Sequence, residues 1–256
     1  MLKKILSFFV SLAVLFCFSS NAMGSNSYNW YFKTQNGESP ILLDGKPIVN
    51  HPSLLALGNP EEKVIYLTFD AGYSTQSLID ILDTLKKEDV KAAFFILPAI
   101  YKLAPDVARR MHDEGHLVCN HSLSHRNMSS LSFEQFKAEV EGLEKEYRQY
   151  TGCNMSKFFR PPEGAFSDST LDYCEKLGYK CVFWSFAYAD WDNNKQPNAE
   201  KSKNKILSTA HNGEVLLLHP NSTTNAKILG DVIKELKQNG FTFETLYHLS
   251  EFKERK

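Results

Sequence analysis

The sequence predicts an α/β fold in which about seven parallel strands, each followed by a helix, close into a barrel. Three observations carry this. From Val64 onward, short apolar runs rich in β-branched and aromatic residues alternate with longer stretches of helical spacing. The runs are apolar throughout rather than alternating, as strands covered on both faces are. The unusual polar residues fall directly after these runs, at the strand ends that share one face of a parallel barrel. The runner-up closure is an open doubly wound sheet. With 256 residues, 43% hydrophobic and 23% charged, the chain is globular in composition. It is also large enough to bury a full core without disulfide staples.

Val64-Ile-Tyr-Leu-Thr-Phe69 is the first strand, and Leu78, Ile79, Leu82 and Leu85 give 77–87 a helical face. Ala92-Ala-Phe-Phe-Ile-Leu97 is the second strand. Helix 105–114 follows, with Pro105 at an early helical position and Gly115 just past its end. Residues 116–120 form the third strand. Helix 132–150 carries Phe133, Phe136, Val140, Leu143 and Tyr147 on one side, and Ser132 with Gln135 suits a capping box. Strand 157–160, helix 169–177 stopped by Gly178, strand 180–186, helix 200–211, strand 214–218, helix 225–238 and strand 241–245 complete the alternation.

The ends of the chain read differently. Lys3 and Lys4 precede an apolar run to Phe18, and small residues precede a cut after Ala22, the pattern of a secretory signal peptide over 1–22. The run is short for a membrane span of ~20 residues, so an uncleaved anchor is the lesser alternative, and no membrane span is expected after cleavage. Residues 23–62 carry turn signals (Asn36-Gly37, Asp44-Gly45, Asn59-Pro60) and the aromatics Tyr28, Trp30, Tyr31 and Phe32. They are expected to form an irregular lead-in packed on a main domain over 63–249, with 250–256 a tail. A formal charge of −1 gives no cation surplus for nucleic acid. Cys119, Cys153, Cys174 and Cys181 either form up to two bridges or stay as buried thiols.

Groups capable of chemistry follow five strands: Asp70, the pair His121 and His125, Arg160, Asp190 with Trp191, and His219. Two imidazoles four apart can face one side and chelate a divalent metal. Asp70 precedes Gly72 in a turn where its bland role is a cap. Arg160 is followed by two prolines that fix its backbone, and alone it reads as a surface ion pair. Asp190 beside His219 would raise the imidazole pKa and make it an acid near neutrality. Tyr73 and Trp191 are candidates to stack on sugar faces, whereas Trp184, within a strand, reads as core.

Thr68-Phe-Asp-Ala-Gly72, His121-Ser-Leu-Ser-His125, Arg160-Pro-Pro-Glu-Gly164, Asp190-Trp191 and Leu216-Leu-Leu-His219 resemble, in order and spacing, the polysaccharide deacetylases of the NodB-homology type, carbohydrate esterase family 4. The resemblance covers Val64 to Leu249. It is most similar to the delta-lactam-biosynthetic de-N-acetylases, which remove the N-acetyl group from muramic acid of spore-cortex peptidoglycan. It implies a distorted (β/α) barrel, peptidoglycan glycan strands as partner, no nucleic acid, and action outside the cytoplasm, in the cell wall or forespore intermembrane space. A monomer is expected. It implies a divalent metal, zinc foremost, on His121 and His125, and Asp70 as general base held by Arg160. The backbone N–H of Glu163 would bind the oxyanion, and His219, tuned by Asp190, would be the general acid.

Two positions depart from the family pattern. Ala71 stands where the family usually has an Asp that ligates the metal, which predicts a weaker site in which other divalent ions compete with zinc. Glu163 stands where the lactam subgroup often has Arg, and its carboxylate would repel an anionic substrate group. The alternatives are deacetylation of N-acetylglucosamine in peptidoglycan or a chitin-like glycan, and a catalytically dead, secreted glycan-binding module.

Overall fold

A computed structural model describes residues 26–35 and 38–254. The expected signal peptide over 1–22 and the Asn36-Gly37 turn signal lie outside the described residues. The chain begins with β1 (Ser27–Asn29), the antiparallel pair β2 (Phe32–Gln35) and β3 (Glu38–Leu42), and β4 (Leu54–Leu55). Then come β5 (Val64–Ala71), α1 (Gln76–Lys87), β6 (Ala93–Ile96), α2 (Pro98–Leu103), α3 (Pro105–Asp113), β7 (Leu117–Asn120) and α4 (Phe133–Thr151). The remainder is β8 (Phe158–Phe159), β9 (Ala165–Ser167), α5 (Asp168–Lys176), β10 (Lys180–Val182), α6 (Ala199–Thr209), β11 (Glu214–Leu218), α7 (Thr223–Gln238), β12 (Thr242–Phe243) and α8 (Leu246–Glu254).

The main sheet runs β11-β5-β6-β7-β8-β10-β4, and every pairing in it is parallel. Ile65 pairs with Glu214 of β11 and with Phe243 of β12, so β12 shares the β5 edge that β6 occupies higher up. Strand 180–186 is shorter than its apolar run suggests. The ladder ends at Val182, and Phe186 rejoins only at Leu216, with Ser185 N–H donating to Val215 O at 3.0 Å. With the antiparallel bridge between Leu57 and Glu214, it forms a seam of two isolated bridges that closes the barrel, which is why the barrel is distorted. Below it Gly58 N–H donates to Gly213 O at 2.8 Å, and a Cβ on Gly213 would come within 2.6 Å of the Gly58 carbonyl carbon. Only glycine, at its φ of +70°, allows that approach.

The lead-in stretch is more regular than its sequence suggests. β4 extends the main sheet beside β10, and β1 pairs with β9. Trp30 N–H donates to Gly164 O at 2.8 Å and its indole N–H to Trp184 O at 2.8 Å, so this segment clamps the turn that follows Arg160. Residues 250–254, expected as tail, continue α8. Ser132 makes the expected capping box at the start of α4. The four described cysteines are free; Cys119, Cys174 and Cys181 are buried and Cys153 is partly so.

Strand alternation decides what points where. Ile65, Leu67 and Phe69 pack with Leu78, Leu82, Leu229 and Ile233 of α1 and α7, outside the sheet. Val64 and Tyr66 join Phe95, Cys119, Phe158 and Val215 in the opposite layer, the barrel interior. By the same period of two, Thr68 and Asp70 face inward, with Asp70 at the C-terminal mouth.

Candidate active site

Arg160, immediately after β8, is fully buried, and its guanidinium is spent on fixed partners. Nη1 donates to Asp70 Oδ1 at 2.7 Å and Nη2 to Thr68 Oγ1 at 2.9 Å. Nε donates to Val182 O at 3.1 Å, and Nη2 also reaches Phe183 O at 3.4 Å. The planar group lies over Phe95, 4.1 Å from the ring centroid. Read alone from sequence, Arg160 suits a surface ion pair; the structure instead makes it the strut that joins β5, β8 and the segment after β10. Burial pushes the Asp70 carboxyl up, but the Arg160 charge outweighs this, with His121 and His219 adding to it, and the net pKa is lowered. Asp70 is therefore an ionised carboxylate at neutral pH, with Oδ2 turned toward His121 Nε2 at 3.7 Å.

The two histidines sit on the loop between β7 and α4, not in a helical turn. Asn120 Oδ1 accepts from Ser122 N–H at 2.9 Å, and Ser122 Oγ accepts from His125 N–H at 2.9 Å. Ser122 and His125 both have positive φ, 72° and 54°, a strained backbone held by these bonds. Glu139 on α4 ties the loop down by accepting from Ser124 N–H and Oγ and pairing with Arg126. The rings of His121 and His125 are 5.1 Å apart. His121 Nδ1 lies 2.8 Å from Arg160 O. A carbonyl only accepts, so Nδ1 carries the proton and Nε2 presents its lone pair to the cleft. Burial lowers the His121 pKa to about 4, which keeps that lone pair free at neutral pH.

This donor set fits a divalent ion, with two imidazoles on one cleft. Ala71, where a third ligand would stand, is fully buried and offers none. Among the described residues the one group of three metal-capable side chains within mutual reach is His112, Asp113 and Cys153, on α3 and just after α4.

His219 follows β11 directly. Its Nδ1 lies 2.7 Å from Asp190 Oδ1, so Nδ1–H donates and Nε2 is the free nitrogen. Its backbone N–H donates to Asp190 Oδ2 at 2.8 Å. Burial alone would lower the imidazole pKa; the hydrogen bond and charge of Asp190, with Asp70 adding to them, raise it. Trp191 is exposed and packs edge-on to the His219 ring, with centroids 5.9 Å apart. Tyr73 is exposed, and its hydroxyl is bonded by Asn193, which with Trp191 O also accepts from Asn221 at 2.7 and 2.8 Å. Tyr73 and Trp191 thus share one polar bridge along a rim. Glu163 is exposed in the turn Pro162–Gly164 at φ 58°. Trp184 is only partly buried and lies near the Arg160 guanidinium.

Asp70, Arg160, His121, His125, Asp190 and His219, drawn from five stretches, therefore line one barrel mouth. Thr68, Tyr188 and Asn225 also take part, and sequence reading missed Thr68 and Asn225. A threonine inside an apolar strand and an asparagine on the buried side of α7 were the available signals.

The family described as polysaccharide deacetylase matches residues 57–182, which include Asp70, His121, His125 and Arg160. The peptidoglycan-N-acetylmuramic acid deacetylase PdaA of Bacillus subtilis is 36% identical over 230 residues, 89% of this chain and 87% of the relative. A solved structure of PdaA, described as a family 4 carbohydrate esterase, aligns with TM-score 0.84 at 35% identity, covering 90% of this chain and 99% of that one. A peptidoglycan-N-acetylglucosamine deacetylase of Bacillus cereus is 32% identical over 198 residues, 75% of this chain and 70% of the relative. The parallel barrel with its mouth at the C-terminal strand ends is the fold of these esterases. The chain belongs to the polysaccharide deacetylases of carbohydrate esterase family 4, hydrolases of N-acetyl amides.

Proposed function

We propose that the chain removes N-acetyl groups from peptidoglycan amino sugars, N-acetylmuramic acid foremost, outside the cytoplasm and on the route to muramic delta-lactam. The observation that carries this is the opposed ionisation of two groups in one cleft. Arg160 at 2.7 Å holds Asp70 charged, and Asp190 at 2.7 Å raises the His219 pKa and so favours its protonated form. The two environments push the base toward its ionised form and the acid toward its protonated form, the direction each role needs. The substrate preference is supported by the 36% identity with the muramic acid deacetylase over most of both chains.

Asp70 takes a proton from the attacking water, whose oxygen adds to the acetamide carbonyl carbon. Arg160 keeps Asp70 ionised and aimed. The Glu163 N–H, in its turn after Arg160, is the donor assigned to the developing oxyanion. His219 Nε2–H gives its proton to the sugar nitrogen as the C–N bond breaks, leaving acetate and a free amine. A divalent ion on His121 and His125, zinc first, supplies polarisation of the carbonyl and acidification of the water when bound. Tyr73 and Trp191 offer apolar ring faces to the sugars along the rim.

Glu163 favours a second reading. Its exposed carboxylate beside the site repels the lactyl carboxylate of muramic acid, which suits N-acetylglucosamine, the substrate named for the B. cereus relative. Incubation of the mature domain with muropeptides and with chitin oligomers separates the readings by the sugar that loses acetate. Acetate from muramic residues alone supports the first. Equal or greater release from chitin oligomers moves the assignment to N-acetylglucosamine, and binding without acetate leaves a dead glycan-binding module.

A further inference from the structure

We propose that Asn225, in the first turn of α7, is the positioning residue of the acid pair, fixing the Asp190 carboxylate against His219. Asn225 is fully buried, and every polar atom of its side chain is committed. Nδ2 donates to Asp190 Oδ2 at 2.6 Å and to His219 O at 3.1 Å. Oδ1 accepts from the Tyr188 hydroxyl. The orientation of the amide is unambiguous, because a carboxylate and a carbonyl only accept and the hydroxyl has a proton to give. Burial, with the Asp190 charge behind it, raises the Tyr188 pKa, so this donor is present throughout the working range.

The bonds span the segment after β10, which carries Tyr188 and Asp190, and the loop after β11, which carries His219. Those two segments meet at the barrel seam, where, among the described residues, the only bridge between them joins Phe186 and Leu216. Asn225 supplies there the cross-link that strand pairing does not. Its own backbone N–H donates to the Ser222 cap at 3.2 Å, which anchors it to the start of α7. With Asn225 in place Asp190 has three donors, His219 Nδ1–H, His219 N–H and the amide. Without it Asp190 keeps only the two donors of His219 itself and loses the tie to α7 that fixes the pair. The charged groups facing His219 are Asp190 after β10, Asp70 at the end of β5 and Arg160 after β8.

The inference rests on the reading of His219 as the acid, and its test has one readout independent of turnover. The His219 imidazole is titrated by NMR in histidine-labelled wild type, Asn225→Ala and Asn225→Asp, with thermal unfolding checked for each. Acetate release is measured for the same proteins and for Asp190→Asn and Asp190→Asn with Asn225→Ala. The expected result is a His219 midpoint moved to lower pH in Asn225→Ala. In the same variant kcat falls ~10–100-fold with KM within about twofold, since misplacement of a catalytic group by about 1 Å costs that much. The double variant is no slower than Asp190→Asn alone. Asn225→Asp keeps the shape, loses the donor and sets two carboxylates face to face, so its kcat falls as well. An unmoved midpoint in folded Asn225→Ala, or losses that multiply in the double variant, overturns the inference. A moved midpoint in Asn225→Ala, with a wild type that releases no acetate, would instead overturn the acid assignment while leaving the positioning intact.

Discussion

Arg160 Nη1 and Asp70 Oδ1 meet at 2.7 Å inside the barrel mouth, with the arginine wholly buried and the aspartate nearly so. Among the described residues neither charge has another Lys, Arg or carboxylate partner within 4 Å, so removing one strands the other. Arg160→Gln is expected to cost about 3–5 kcal/mol of stability, the usual result of breaking a buried pair on one side. Arg160→Lys is expected to fall short of wild type, since an ammonium cannot serve Asp70, Thr68 and Val182 in one plane. Urea unfolding of both variants checks this.

The two titrating groups give the pH dependence opposite signs. The folded pKa of Asp70 lies below the unfolded value of about 3.9. Its stabilisation is therefore complete above that value and is lost as pH falls through the folded one. The folded pKa of His219 lies above the unfolded value of about 6.5, so its stabilisation is complete below 6.5 and is lost as pH rises through the folded one. Unfolding free energies measured from pH 3 to 9, as flagged by those about 3.9 and 6.5 reference values, should show Asp70→Asn losing the acid limb and His219→Gln losing the alkaline one.

The same arrangement shapes turnover. With His219 as the proposed acid, kcat/KM is expected to fall on an alkaline limb set by His219. Asp190→Asn removes the charge that raises the imidazole pKa and is expected to move this limb to lower pH. A pH–rate profile of the two proteins reads the displacement directly.

Ala71 offers a gain rather than a loss. Ala71→Asp places a carboxylate beside Asp70 at the end of β5 and should tighten binding of a divalent ion by at least ~10-fold, the scale of outer-shell losses. Without metal the same side chain is a buried carboxylate and lowers the melting temperature. Calorimetric zinc titration, with melting temperatures taken with and without a chelator, tests both halves.

Tyr73 and Trp191 are exposed aromatics on the rim of the cleft. Tyr73→Ala is expected to weaken glycan binding, measured by the dissociation constant of an unreactive muropeptide, and unchanged affinity would remove Tyr73 from the groove.

Much of this was legible in the sequence because it rests on local pattern. The apolar runs of β5 and β11 and the helical stripes of α1, α4 and α7 report their own burial. Residues placed just after strands report the mouth of a parallel barrel. What was illegible depends on partners distant in the chain. β4 is two residues long and is a strand only because β10 lies beside it. The run at 180–186 is mostly apolar, yet its second half leaves the ladder to form the seam, since burial there comes from packing and not from pairing. Thr68 and Asn225 look like ordinary polar residues until Arg160 and Asp190 are brought against them. Arg160 alone reads as a surface charge, and only the fold shows that it is buried.

The most direct measurement is acetate released per enzyme from defined muropeptides by wild type, Asp70→Asn and His219→Ala, each shown to be folded and to bind glycan. A base and an acid flanking one amide predict release by wild type and a fall of ~10²–10⁴-fold in each variant. Equal release by all three proteins would contradict the account.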